Sequence, residues 1–160
     1  MKDIYTISKI RNSILALRDW ELVLLILLLN FLNNYIFSVV SDLFDISLSK
    51  GFDDNYTIKE KIVLFVVVAP LIETLLFQYL VIEICKSFKM RLKYCCFISA
   101  FVFASFHLYN VFYFLFAFTG GLLFAFLYIK GNSQKKAILL PLVAHTIYDG
   151  SVFIIKTYLT

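Results

Sequence analysis

The sequence has few of the residues that interrupt a chain or cross-link it. Its 160 residues include five glycines, two prolines and three cysteines. So little glycine and proline argues against disorder and collagen-like structure, and an odd number of cysteines cannot form a closed disulfide framework. Charge is also scarce, since 16% of the residues are Asp, Glu, Lys or Arg, against roughly a quarter in soluble domains. This composition excludes an ordinary soluble domain.

Apolar residues fill most of the chain instead. Hydrophobic residues make up 61% of it, with 18 phenylalanines and 10 tyrosines. The chain (residues 1–160) is one domain, too short for a membrane part joined to a separate soluble enzyme. The net charge is +4, but the basic residues are scattered without a basic arm, so nucleic acid is not an expected partner. The composition predicts an integral membrane protein in contact with lipid.

Five apolar stretches approach the length needed to cross a bilayer. They cover residues 20–40, 61–85, 94–108, 111–129 and 137–159. A single helix over 94–129 would extend about 54 Å, too far for one crossing, so we expect a tight helical hairpin there. The pattern predicts an all-α polytopic bundle of about five transmembrane helices.

The charges between the stretches predict an orientation. Segments 1–19, 86–93 and 130–136 carry three or four Lys or Arg residues each, whereas 41–60 carries five acids against two lysines. With five spans all three basic segments share one side, which places the N-terminus in the cytoplasm and the C-terminus outside, in what we expect to be a bacterial cytoplasmic membrane. Segment 1–19 is predicted to be an interfacial helix, with one apolar face formed by Ile4, Ile7, Ile10, Ile14 and Leu17.

Five ionisable side chains lie inside the predicted spans, where they are costly and therefore suggest function. They are Glu73, Glu83, His107, His145 and Asp149. Glu83 lies near the predicted membrane edge and is three residues from Lys86, so we interpret it as half of an interfacial ion pair. The other four residues are candidates for a functional site.

These four residues converge in depth. Glu73, His107 and Asp149 are 13, 14 and 13 positions from the nearest basic residue of a cytoplasmic loop, or about 20 Å along a helix. His145 is nine positions away, or about 13 Å. His145 and Asp149 are four residues apart, so they share one helix face. Three helices thus bring ionisable groups to a similar level of the membrane.

The residue types leave several interpretations open. A carboxylate and a neutral imidazole can deprotonate a water molecule for attack on a carbonyl group, and an imidazole beside an Asp can stabilise the resulting oxyanion. Two His and two carboxylates could also hold zinc, although no HExxH motif is present. A polar cluster that only cross-links helices and a proton or ion path are further alternatives. Two prolines that could kink their helices, Pro70 and Pro141, precede site residues, and Gly120–Gly121 permits close helix approach.

Three ordered motifs resemble the CPBP family, the CAAX prenyl endopeptidases and bacteriocin-processing proteins of the Abi type. The family pattern is Glu-Glu-x-x-x-Arg, then Phe-x-x-x-His, then His-x-x-x-Asn or His-x-x-x-Asp. Here the first motif reads Glu73-Thr74-Leu-Leu-Phe-Gln78. The second runs from Phe103 to His107 and the third from His145 to Asp149. The resemblance covers the motif-bearing core, about residues 61–156, of a short family variant.

The resemblance implies an all-helical intramembrane endopeptidase that hydrolyses a peptide bond of a membrane-associated protein or peptide. Glu73 and His107 would activate the water, and His145 and Asp149 would form the oxyanion-binding side. Supporting positions would be Thr74, Gln78 and Phe103. The implied mechanism requires no metal; if zinc is bound, its ligands would be Glu73, His107 and His145. The sequence sets neither the substrate, for which a bacteriocin-like leader is one candidate, nor the oligomeric state.

The first motif departs from the family at two positions. Thr74 and Gln78 replace the second Glu and the Arg. They are four residues apart, so we expect a neutral pair, able to hydrogen bond, in place of a charged one. An active enzyme is the favoured interpretation. The alternatives are a catalytically impaired member that acts as a peptide-binding, bacteriocin-immunity or scaffold protein, and a small transporter or proton path.

Overall fold

The computed structural model describes residues 13–14, 16–48, 55–132 and 136–159. Every regular element in these ranges is helical, which confirms the predicted all-α class. Most of the predicted interfacial helix over residues 1–19 lies outside the described residues. The five main helices are α1 (Asp19–Asp42), α2 (Ile58–Ser87), α3 (Leu92–Ser105), α4 (Val111–Asn132) and α5 (Leu139–Tyr158).

Four of these helices are long and apolar enough to cross a membrane, and α3 is the exception. Its 14 residues extend about 21 Å, less than the roughly 30 Å hydrocarbon core. The predicted hairpin of α3 and α4 is confirmed, because edge-to-face ring pairs join the two helices: Phe97 with Phe118 and Phe101 with Phe114. The protein is therefore a helical membrane bundle with one short member.

Pro70 coincides with irregular hydrogen bonding in α2. The stretches Ile62–Val68 and Thr74–Val81 are π-helical and flank the α-helical turns of Ala69–Glu73. Proline has no N–H to donate, and its ring clashes with the carbonyl group four residues earlier. The preceding turns therefore widen, in agreement with the disturbance expected at Pro70. The sequence did not indicate the second π-helical stretch.

Pro141, in contrast, does not interrupt α5. The helix begins at Leu139 and continues to Tyr158, so this proline is the third residue of the first turn. The first N–H groups of a helix have no partner within the helix, so a proline in this turn removes no regular hydrogen bond. The prediction of a kink at Pro141 was therefore wrong.

Helices α4 and α5 lie at the centre of the bundle, and α1 packs against both. The largest core cluster joins α1, α4 and α5 and includes Leu22, Ile26, Phe124, Leu127, Leu140 and Ala144. The predicted close approach at Gly120–Gly121 is confirmed. A Cβ on Gly121 would lie 3.0 Å from Phe103 Cδ1 and 3.1 Å from Ala100 Cα, and one on Gly120 would lie 3.1 Å from Asn30 Oδ1.

The side chains that connect neighbouring elements differ between the two ends of the bundle. At one end, Lys136 at the approach to α5 pairs with Asp19 of α1 at 2.6 Å. Glu83 there pairs with Lys86 at 2.6 Å, as predicted, and accepts a hydrogen bond from the Tyr128 hydroxyl at 2.7 Å. We call this end the basic end. At the other end, the Asn110 side chain donates to the Ser47 carbonyl oxygen at 2.9 Å. We call it the acidic-loop end.

Candidate active site

Glu73 lies where the α-helical turns of α2 meet the second π-helical stretch. Its two carboxylate oxygens face different histidines. Oε1 is 3.9 Å from Nε2 of His107, and Oε2 is 3.5 Å from Nε2 of His145. The side chain of Glu73 keeps 24% of its surface exposed. Glu73 thus connects the histidines of the second and third sequence motifs.

The sequence placed His107 inside the third span, but in the structure His107 lies outside a helix. Helix α3 ends at Ser105, and the chain turns through His107 before α4 begins. The Nδ1 atom lies 2.8 Å from the Phe103 carbonyl oxygen. A carbonyl oxygen only accepts, so Nδ1 carries the proton, and in its neutral form the ring directs the Nε2 lone pair toward Glu73. The same carbonyl oxygen also accepts the backbone N–H of Phe106 at 3.2 Å, so the ring adds a second hydrogen bond at the end of the helix.

His145 and Asp149 lie one turn apart on the same face of α5, as predicted. His145 Nε2 is 3.5 Å from Asp149 Oδ2. The imidazole stacks on Phe124, with ring centroids 4.4 Å apart, and meets the edge of Phe103. Its Nε2 faces two carboxylates, an arrangement that favours a proton on this nitrogen. Aromatic packing on two sides thus fixes a donor that points at the carboxylates.

The four ionisable side chains line a single cavity of about 330 Å³. All five helices contribute to its wall, together with the loop between α3 and α4. Seven of the lining residues are phenylalanine or tyrosine: Phe65, Phe103, Tyr109, Tyr113, Phe116, Phe124 and Tyr148. A mostly apolar cavity with a few convergent polar groups is the usual form of a small-molecule or substrate site.

Thr74 and Gln78 do not form the hydrogen-bonded pair expected from the sequence. Both side chains are fully buried, and among the described residues the Thr74 hydroxyl and both amide atoms of Gln78 have no hydrogen-bond partner. Nδ1 of His145 is also buried without a hydrogen-bond partner among the described residues. The expectation was wrong because four-residue spacing places two side chains on one face without making their polar atoms meet. The neutral pair instead leaves three buried polar atoms without a partner, and Nδ1 of His145 is a fourth.

The same side chains do not form a metal centre. No group of three or more His, Cys, Asp or Glu residues in the described ranges has an arrangement that could hold a metal ion. Glu73, His107 and His145, the zinc ligands considered from the sequence, therefore do not fit that role in this geometry.

Sequence reasoning missed the polar groups that α1 contributes. Asn30 lines the cavity, and the Asn34 side chain donates to the Tyr148 hydroxyl at 2.8 Å. Tyr113 lines the cavity beside His107, with ring centroids 5.9 Å apart. The asparagines could have been predicted from the sequence, because polar residues inside an apolar span tend to face other helices. The tyrosines could not, because ten tyrosines are spread along the chain and nothing distinguishes these two.

Fold and site together define a polytopic membrane protein with a Glu-His-His-Asp cluster inside the bundle. The family model of type II CAAX prenyl endopeptidase Rce1-like proteins matches residues 60–151, more than half of the chain. The chain therefore belongs to this family, and the resemblance derived from its three motifs is confirmed. No curated protein and no solved structure matches the chain. The matched stretch contains all four site residues and leaves out α1.

Proposed function

We propose that the protein is an intramembrane endopeptidase that hydrolyses a peptide bond of a membrane-associated protein or peptide. The observation that carries the proposal is the position of Glu73, whose two oxygens face one histidine each at 3.9 Å and 3.5 Å inside a partly accessible cavity. Family membership supports the reaction class, because the matching family is one of endopeptidases.

The gap between Glu73 and His107 is suited to a water molecule. The 3.9 Å separation of Oε1 and Nε2 is too long for a hydrogen bond. A water oxygen at about 2.8 Å from both atoms would see them at an angle of roughly 90°, close to the angle between its two hydrogens. Both partners accept, so the water donates to each and presents a lone pair to the substrate. Glu73 is then the general base and His107 orients the nucleophile.

His145 supplies the complementary donor. Its Nε2–H lies 3.5 Å from both Glu73 Oε2 and Asp149 Oδ2, beyond the usual N–H···O range of 2.7–3.2 Å. The proton is therefore available to a substrate carbonyl oxygen, which becomes an oxyanion as the water attacks. A fixed donor at that point is worth roughly 10²- to 10³-fold in rate.

The proton and electron balance closes within these residues. The water oxygen forms a bond to the carbonyl carbon, and the water proton moves to Glu73. The tetrahedral intermediate keeps its oxyanion on His145 until the C–N bond breaks. Glu73 then returns the proton to the leaving amine. The products are a carboxylic acid and an amine, with the enzyme restored.

The proposal includes an orientation. The described basic residues at one end of the bundle favour a cytoplasmic location for that end, with the N-terminus inside and the C-terminus outside. The host membrane we propose is a bacterial cytoplasmic membrane. The substrate class remains a membrane-associated peptide or protein.

The first test is cleavage by the purified protein in liposomes. The probes are a quenched fluorescent peptide with a farnesylated C-terminal CAAX sequence, the substrate type in the family description, and the same peptide without the prenyl group. Glu73→Gln keeps the size of the side chain but removes the general base. We expect kcat/KM to fall by roughly 10²- to 10⁴-fold.

The matched control is Glu83→Gln, which makes the same change in the same helix at a carboxylate outside the cavity. It should cleave like the wild type, since Glu83 bonds to Lys86 and Tyr128 at the basic end. Wild-type rates in a folded Glu73→Gln protein would refute the proposed mechanism.

A second candidate function is peptide binding without cleavage, as in an immunity or scaffold protein. The unsatisfied Thr74 and Gln78 side chains favour it, because the family's charged pair is missing here. This function predicts that the wild type binds both probes without cleaving them and that binding survives Glu73→Gln. Cleavage that depends on Glu73 would exclude it.

A further inference from the structure

The cavity is closed toward the basic end of the bundle. On that side of Glu73, the α2 side chains Thr74 and Gln78 are fully buried, as is Ala144 of α5. Phe124 of α4 retains 3% of its surface and closes the floor beneath His145. A peptide approaching from the basic loops would have to displace this packed layer.

Toward the acidic-loop end the cavity wall continues and becomes accessible. Beyond Glu73 on α2 the lining includes Ala69, and beyond Asp149 on α5 it includes Val152 and Lys156. Lys156 is exposed and follows Asp149 by seven residues, or about 10 Å along the helix. Tyr109, in the loop after α3, also lines the cavity and is 49% exposed.

The shortness of α3 explains this asymmetry. Helix α3 packs against α2 along Thr74–Val81, whereas the earlier part of α2 packs against α5. Because α3 ends at Ser105, it accompanies only the half of α2 nearer the basic end. In the other half, the loop that carries His107 and Tyr109 forms the rim of the cavity.

We propose that the cavity opens at the acidic-loop end, the outer side of the membrane in the orientation above, and admits an extended segment of a peptide presented there. The peptide as occupant depends on the proposed function, but the direction of the opening does not. Substrates would then be the outward ends of membrane-anchored or exported peptides, not segments that enter from the cytoplasm.

The chemistry of the proposed reaction argues for an extended segment. In a continuous helix each backbone carbonyl oxygen accepts an N–H of its own helix and is surrounded by side chains, so it is not free to accept from His145. A frayed or helix-broken end exposes its carbonyl groups to Glu73 and His145, and the aromatic wall of the cavity suits its apolar side chains.

The direction of the opening can be tested with single cysteines in a background in which Cys85, Cys95 and Cys96 are serines. Val152→Cys reports on the cavity. Leu43→Cys marks the acidic-loop end, where this residue is 77% exposed, and Lys89→Cys marks the basic end. A membrane-impermeant maleimide is applied to intact cells. We expect it to label Leu43→Cys quickly and Val152→Cys several-fold more slowly, and to label Lys89→Cys only after permeabilisation.

Each other pattern overturns part of the proposal. If Val152→Cys is labelled only under the conditions that label Lys89→Cys, the opening lies at the basic end. Labelling of Val152→Cys and Leu43→Cys only after permeabilisation would keep the opening but reverse the membrane side. Failure to label Val152→Cys at all would refute an aqueous opening.

The occupant is tested by protection of Val152→Cys. A 12-residue apolar peptide with a central Gly-Pro should slow labelling several-fold, and the same peptide with Ala-Ala should protect less. Equal protection would overturn the requirement for an extended segment. Labelling needs no catalysis, so adding Glu73→Gln should leave the pattern unchanged even if the proposed endopeptidase activity proves wrong.

Discussion

Asp149 shows how a single side chain can be tested for its role in the site. Its Oδ2 is 3.5 Å from His145 Nε2, at a motif position where the related family has either Asn or Asp. An Asn side chain has nearly the same shape and offers an N–H donor in place of one carboxylate oxygen. The two residue types are interchangeable at this position only if the group acts through hydrogen bonds instead of through its charge.

We therefore expect Asp149→Asn to keep cleavage within about tenfold of the wild type, whereas Asp149→Ala should lose up to roughly 10²- to 10³-fold in kcat, because the oxyanion donor His145 then lacks the neighbouring side chain that orients it. The measurement is kcat and KM on the fluorescent peptide that the wild type cleaves. Equal loss in the two variants would show that the negative charge of Asp149 is essential.

Thr74 and Gln78 allow the cost of buried polar atoms without partners to be measured. A buried polar group without a partner costs about 1–3 kcal/mol. The double variant Thr74→Val with Gln78→Met removes three such atoms at nearly constant volume, so it should raise the free energy of unfolding by about 1–3 kcal/mol. The measurement is thermal unfolding in detergent.

Ser99→Ala is the matched control, because the buried Ser99 hydroxyl does have a partner and donates to the Phe77 carbonyl oxygen at 2.9 Å. It should destabilise the protein by about 1 kcal/mol. A lower unfolding temperature in the double variant would instead indicate that ordered water satisfies Thr74 and Gln78.

The sequence singled out four ionisable side chains as candidates because such groups are rare in apolar spans. Depth counting placed Glu73, His107 and Asp149 at one level, and the structure brings them together with His145. The sequence did not predict which polar atoms hydrogen bond to each other. Whether Thr74 meets Gln78 depends on side-chain geometry in a π-helical stretch, which residue spacing does not specify.

At the scale of single helices, length and hydropathy predicted where the elements lie better than where they end. The α3–α4 hairpin followed from a run too long for one crossing. The sequence did not predict that α3 ends at Ser105, because the apolar residues continue through Phe106 and Leu108. Likewise, Pro70 and Pro141 looked equivalent in sequence, and only their distance from a helix start separates their effects.

The contact between α3 and α4 is sensitive to a single methyl group. A Cβ on Gly121 would meet the backbone of Ala100 at 3.1 Å as well as the Phe103 ring, so the two helices must move apart. We expect Gly121→Ala to destabilise the bundle by about 1–3 kcal/mol, measured by thermal unfolding. Because the shift displaces Phe103, whose carbonyl holds His107, cleavage should fall as well.

Gly150→Ala is a milder comparison, since its Cβ would meet only the end of the Val66 side chain, at 3.3 Å. Its unfolding temperature should stay closer to that of the wild type. A Gly121→Ala protein as stable as Gly150→Ala would contradict a close α3–α4 contact.

For the molecule as a whole, we expect both folding and cleavage to be independent of metal ions, because no group of His, Cys, Asp and Glu in the described ranges is arranged to hold one. We expect EDTA or 1,10-phenanthroline to leave the unfolding temperature and the cleavage rate unchanged, while a zinc protease in the same buffer loses activity. Loss of cleavage that added Zn²⁺ restores would establish a metal mechanism.

Helix α1 lies outside the family-matched stretch of residues 60–151, yet it forms part of the cavity. Its Asn33 side chain donates to the Phe116 carbonyl oxygen at 3.0 Å, and its Asn34 side chain holds the Tyr148 hydroxyl. In a membrane, helices insert first and associate afterwards through such packing and polar contacts. A chain cut between residues 48 and 55 would thus give two separately inserted fragments, of which one carries every motif and the other completes the compartment. We therefore expect the motif-bearing helices and the helix that completes the cavity to be separable parts of this protein.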